Sequence, residues 1–184
     1  MIFRWFAPTS RELSIACLYG VIVAQARRPV FYQLYHVPDT VTGRLEMIML
    51  HLILVLPHFQ QLDMVSRGLG QALFDRFCSD MDDNMREMGV GDLAVPRKMR
   101  RVGDAFYARQ ALYGSALAHG TNGELTAALA RYVHGSRADA DANVATRLAD
   151  YSRRAAHALV GQDGFERGEI HFPDPEEVHV PVQT

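Results

Sequence analysis

Apolar positions recur along this chain every three or four residues, and few stretches alternate with period two. That spacing is the signature of helices with one face against a core. It predicts a first helix over about 10–27, halted by Pro29, since the residue before a proline avoids the helical region. A short helical piece follows over about 30–35. The next helix opens at Asp39, Thr40 or Thr42 and runs to about Pro57. Its middle, MIMLHLILVL, is apolar on every side, so it should sit centrally rather than on a surface.

A long helix over about 62–88 carries Leu69, Leu73, Phe77, Met81, Met85 and Met88 as one stripe, with Gly89 as a left-handed cap. Another spans about 96–118, with Pro96 near its first turn and Met99, Val102, Phe106, Tyr113 and Leu117 on one face. Shorter helices over about 123–134 and 140–160 complete the count, joined by the polar linker GSRADADAN. The tail from Gly161 holds Pro173, Pro175 and Pro181 and reads as extended or disordered. The expectation is an all-α single domain over residues 1–160, of six or seven helices, with a flexible C-terminal tail over 161–184. No internal repeat is visible.

Composition fits this. The chain has 184 residues, 48% of them hydrophobic and 22% charged, with a net charge of −2. No whole-molecule field draws in nucleic acid. The charge is nevertheless segregated. Asp75, Asp80, Asp82, Asp83, Glu87 and Asp92 stand against Arg76 and Arg86; then Arg97, Lys98, Arg100, Arg101 and Arg109 stand against Asp104. Such patches steer partners more than they stabilise folds. The cysteines, Cys17 and Cys78, read as small hydrophobes in a reducing compartment.

At the N-terminus, Arg4 and Arg11 precede LSIACLYGVIVAQA, which imitates a secretory signal ending at Ala24-Gln25-Ala26. Glu12 at the mouth of the apolar run, and a capping box in Thr9-Ser10-Arg11-Glu12, favour a folded helix instead. No apolar run reaches the ~18–20 residues of a membrane span; the best, Met47–Leu56, is about half that. A cytoplasmic location is expected, with peripheral contact at the inner membrane as the form any membrane association takes.

Candidate chemistry mostly fails on its own terms. Asp80-x-Asp82-x-Asn84 opens like a calcium loop, but Met85 and Gly91 stand where glycine and a bidentate glutamate are required. Asp82-Asp83 begins a DDxxD magnesium motif, but Arg86 stands at its closing acid. Gly89-Val90-Gly91-Asp92-Leu93-Ala94 matches GxGxxA but follows a helix rather than a strand. Its glycines suit a helix cap and turn, with Asp92 a candidate cap for the next helix. The eight histidines do not cluster, and His51 in an apolar helix suits a hydrogen-bonded core residue. No catalytic residue, metal or cofactor is expected. The basic run 97–101 has no stacking platform, so specific nucleic-acid binding is not expected either. What remains is an interaction surface with an acidic face (Asp80, Asp83, Glu87), a soft methionine edge (Met85, Met88) and a basic face (Arg97, Lys98, Arg100, Arg101, Arg109).

Several stretches are similar to the ubiquinol–cytochrome c chaperone family. They are Phe74–Met88 with Gly89-Val90-Gly91-Asp92-Leu93, the basic residues at 97–101, and Ala105-Phe106-Tyr107-Ala108-Arg109. Tyr19-Gly20, Val23–Arg27, Pro38-Asp39-Thr40, Glu46-Met47-Ile48 and Leu50-His51 add to it. The resemblance runs in order over about residues 10–118. Pro96 departs from it, where a helix-friendly small residue is expected, and leaves the start of that helix open. The resemblance implies a non-catalytic, all-α, bacterial-type assembly factor. It would bind newly made cytochrome b during assembly of ubiquinol–cytochrome c reductase, with the ribosome and a small partner factor as associates. The competing readings are a generic helical interaction module with another client, or a metal-dependent helical enzyme.

Overall fold

The computed structural model describes residues 9–60, 64–135 and 142–179. Among these, every regular element is helical: α1 (Ser10–Ala26), α2 (Pro29–Gln33), α3 (Val41–Gln60), α4 (Met64–Glu87), α5 (Val95–Ala118), α6 (Asn122–Tyr132), α7 (Ala142–Leu159) and α8 (Pro175–His179). A 3-10 turn, Gly164–Arg167, lies between the last two. The first seven form the body, in the order the periodicity predicts. Part of the GSRADADAN linker, residues 136–141, lies outside the described residues.

Local chemistry sets the ends. The Thr9 Oγ1 accepts from the Glu12 amide at 3.2 Å, and the Glu12 carboxylate accepts from the Thr9 amide at 2.7 Å, so the expected capping box starts α1. α4 ends as expected at Gly89, whose φ of 78° only glycine adopts without strain. The Gly89 amide donates to Arg86 O and the Val90 amide to Met85 O, the paired bonds of a Schellman motif. Val95 and Pro96 form the first turn of α5. Ala94 is its N-cap and supplies no side-chain bond, so Asp92 is not the cap the sequence offered.

α3 is the axle. Residues Glu46–Leu56 are all buried, and α1, α4, α5 and α7 pack around them. Two sequence expectations change here. The helix does not stop at Pro57 but runs one turn further to Gln60, because Pro57 faces solvent and Phe59 is anchored in the core at 1% exposure. At 20 residues it is also long and apolar enough to cross a membrane by length and composition, but 67% of its apolar window is buried within the fold. It is used as a core helix.

α1 buries Ile15, Leu18, Tyr19, Ile22 and Ala26 against that axle. Cleavage after Ala26 would remove a wall of the core, so the signal-like pattern belongs to a folded element. One polar chain crosses the interior. Gln25 Nε2 donates to the Tyr151 hydroxyl at 2.9 Å, that hydroxyl donates to His51 Nε2 at 2.9 Å, and His51 Nδ1 donates to Met47 O at 2.8 Å. His51 is therefore the satisfied core histidine its position suggests. Burial holds its pKa down, at about 4, so the ring stays neutral.

The tail is only partly the free segment the sequence leads one to expect. Residues 169–174 form no regular element, but the stretch as far as His179 is docked on the body. Phe165 and Ile170 are buried, and the Phe165 ring stacks on His58 with centroids 4.8 Å apart. The Tyr35 hydroxyl donates to Pro175 O at 2.8 Å, and Arg28 pairs with Asp174 at 3.0 Å. Gly168, at φ 71°, makes this approach feasible: a Cβ there would lie 2.9 Å from the Leu18 amide nitrogen and Cys17 Cβ on α1. Residues 180–184 lie outside the described residues.

Candidate interaction surface

The stripe on α4 changes character along its length. Leu69, Leu73 and Phe77 are buried, Met81 and Met85 are half-buried, and Met88 is 57% exposed. On α5, Val95, Val102, Phe106 and Tyr113 are buried and Met99 is half-buried. The two helices thus form a hairpin rooted in the core, whose apex, residues 88–94, stands in solvent. At that apex Leu93 is 99% exposed, the most exposed large apolar side chain among the described residues. Sequence reasoning passed over Leu93 because it belongs to no helical stripe. The available signal was a leucine inside a glycine turn, where no core position exists.

The predicted acidic residues divide. Asp83 and Glu87 face solvent on α4. Asp80 is tied down, accepting from the Tyr19 hydroxyl at 2.8 Å, and burial together with that bond pushes the Tyr19 pKa up. Arg86 bridges Asp82, at 2.6 Å, and Asp92, locking the end of α4 to the turn. Arg97, Lys98, Arg100 and Arg101 are all exposed on the first turns of α5, and none forms an ion pair with a described residue.

Arg109 does not join them. Its guanidinium grips the Glu46 carboxylate with two bonds, of 2.7 and 3.0 Å, and lies 4.2 Å from the centre of the Tyr132 ring. Its side chain is 16% exposed and that of Glu46 5%. Burial pushes the Glu46 pKa up against the pull of Arg109. This arginine holds α5 to the axle rather than facing a partner, and no local spacing announces it because its mate is 63 positions away.

Beside the hairpin, Phe74, Phe106 and Tyr107 form a ring cluster with centroids 4.8–5.9 Å apart. With Leu56 and Phe59 they line a groove of about 380 Å³ whose other walls include Gln60, Gln71 and Gln110. Such a lining can hold an apolar group and offers amides for hydrogen bonds; Tyr107 is its one titratable side chain. Among the described residues no three His, Cys, Asp or Glu side chains gather where a metal ion would need them.

Comparison with known proteins identifies the family. The family model described as ubiquinol-cytochrome C chaperone matches residues 33–172. The chain belongs to the ubiquinol–cytochrome c chaperone family. A crystal structure titled as the Cbp3 homolog from Brucella abortus superposes with a TM-score of 0.81 at 33% identity, over 91% of this chain and 93% of that one. No curated protein matches the chain. Membership makes this ubiquinol–cytochrome c chaperone an assembly factor of the respiratory chain, and membership in a chaperone family implies binding rather than catalysis. The matched span includes the hairpin, the Glu46–Arg109 clasp and the docked tail as far as Phe172.

Proposed function

We propose that this chaperone holds newly made cytochrome b while ubiquinol–cytochrome c reductase is assembled, and that the α4–α5 hairpin is its docking element. The observation that carries this reading is the hairpin's surface. Asp83, Met85 and Glu87 line one helix with Met88 just past its end, and exposed Arg97, Lys98, Arg100 and Arg101, none paired with a described residue, line the other. Half-buried and exposed methionines are unbranched and polarizable, so they adapt to apolar clients of varied shape. Exposed charge of both signs speeds and orients encounter. Asp80 and Arg109 support the surface from within and do not contact the client. The protein works at the cytoplasmic side of the inner membrane, peripherally, with a small partner factor and the ribosome as associates at the point of synthesis.

The test is site-specific photocrosslinking in native cells. A crosslinker at Glu87 or Arg97 should capture cytochrome b, and one at the exposed Arg154 of α7 should not. Equal capture from all three positions would remove the hairpin from the mechanism. Capture of unrelated soluble proteins alone would mean a different client.

A further inference from the structure

The hairpin apex combines two features that a client-binding surface does not require together. Leu93 is 99% exposed and Met88 57% exposed in one turn, next to the half-buried Val90. A single exposed leucine is ordinary. Here the apolar pair flanks the turn that joins α4 to α5, both side chains open to solvent. Immediately after it come four exposed cations on the first turns of α5, none ion-paired with a described residue. Their placement is locally unfavourable. Arg97, Arg100 and Arg101, and likewise Lys98 and Arg101, are like-charge neighbours at three-and-four spacing. They crowd the positive end of the helix, which has no side-chain cap. Contact with a dense layer of anions relieves all of this at once.

We propose that this apex is a membrane foot. Leu93 and Met88 enter the headgroup layer of an anionic bilayer, and Arg97, Lys98, Arg100 and Arg101 bind its phosphates. Charge complementarity supplies the attraction and the apolar pair the depth, the combination by which peripheral segments choose anionic lipid. The acids nearby lie mostly on the other helix. Arg86 pairs with both Asp82 and Asp92 and offsets one of their two charges, Asp83 and Glu87 stand on α4, and Asp104 is the one acid on α5 with the four cations. The hairpin therefore leans onto the membrane by its α5 side, with the α4 acids turned towards protein. An RNA surface would use the four cations but not Leu93 or Met88, and no aromatic ring stands at the apex to stack on a base.

The inference shares the hairpin with the client reading but needs no client. Full-length protein is sedimented with vesicles of phosphatidylcholine, alone or mixed with phosphatidylglycerol. Binding is expected only to the mixed vesicles, weakening as salt rises. Each cation removed should lower the partition about fivefold, and reversal of all four to glutamate should abolish it. Leu93→Asn should lower it several-fold with an unchanged melting curve, since Leu93 touches nothing that holds the fold. Equal binding to both vesicle types, or none to either, would overturn the proposal. So would Leu93→Asn binding like the parent while single-stranded RNA displaces the protein from vesicles, because the patch would then be a general polyanion surface. The salt titration of the parent protein keeps the test decisive if a variant folds poorly. Failure here leaves crosslinking to cytochrome b unaffected, so the two readings fall separately.

Discussion

The Glu46–Arg109 clasp makes the sharpest prediction. In Arg109→Met the methionine keeps most of the packing volume but leaves the Glu46 carboxylate, 5% exposed, with no counter-charge. Removing one partner of a buried pair costs about 3–5 kcal/mol, most of it the stranded charge. Arg109 is itself 16% exposed, so water reaches the site and the lower end applies. Loss of the contact over the Tyr132 ring adds about 0.5–1 kcal/mol. A total near 3–4 kcal/mol is a large share of the ~5–15 kcal/mol that holds a domain folded. In urea it should move the unfolding midpoint by roughly 1–2 M at an ordinary slope. The loss should also depend on pH in a definite direction. A carboxyl whose folded pKa lies above 4.5 binds more protons folded than unfolded, so its contribution to stability falls as pH rises above 4.5. Removing Arg109 raises that pKa further and widens the window. The Arg109→Met deficit should therefore be full near neutral pH and shrink in mild acid as Glu46 takes up a proton. Glu46→Leu combined with Arg109→Met should recover most of the loss, because an apolar pair leaves no stranded charge. A single variant within about 0.5 kcal/mol of the parent, or a double variant no better than the single, would refute the reasoning.

Two further changes test the core and the tail. His51, held near 4 against an ordinary 6.5, binds fewer protons folded than unfolded, so stability should fall by about 3 kcal/mol as pH drops through that interval. His51→Gln should flatten this slope in urea midpoints measured across pH, and an unchanged slope would place the titration elsewhere. Ending the chain after Val160 uncovers the partners of Phe165 and Ile170, each worth about 1.5–3 kcal/mol when buried. The truncated chain should melt well below the parent, whereas a merely appended tail would leave the melting curve where it is.

The sequence by itself determined the helices and most of their ends, because those depend on residues within about four positions of each other. Thr9 and Glu12 close a box three residues apart, the amides of Gly89 and Val90 satisfy carbonyls three and five residues back, and a stripe at three-and-four spacing announces a buried face whatever covers it. The exposure of Asp83, Glu87, Arg97, Lys98, Arg100 and Arg101 was legible for the same reason, since charges off the stripe face solvent unless a neighbouring helix takes them up, as α1 does Asp80 through Tyr19. Tertiary structure decided what local spacing does not encode. It carried α3 past Pro57 by anchoring Phe59, and graded the methionine stripe from half-buried Met81 to exposed Met88 as the hairpin leaves the core. It turned Arg109 inward to a glutamate 63 positions away, and tied the tail to Tyr35 across 140 positions. Those pairings depend on which helices become neighbours. Neighbours are chosen by how all the apolar faces fill space together, a property of the whole chain rather than of any stretch of it.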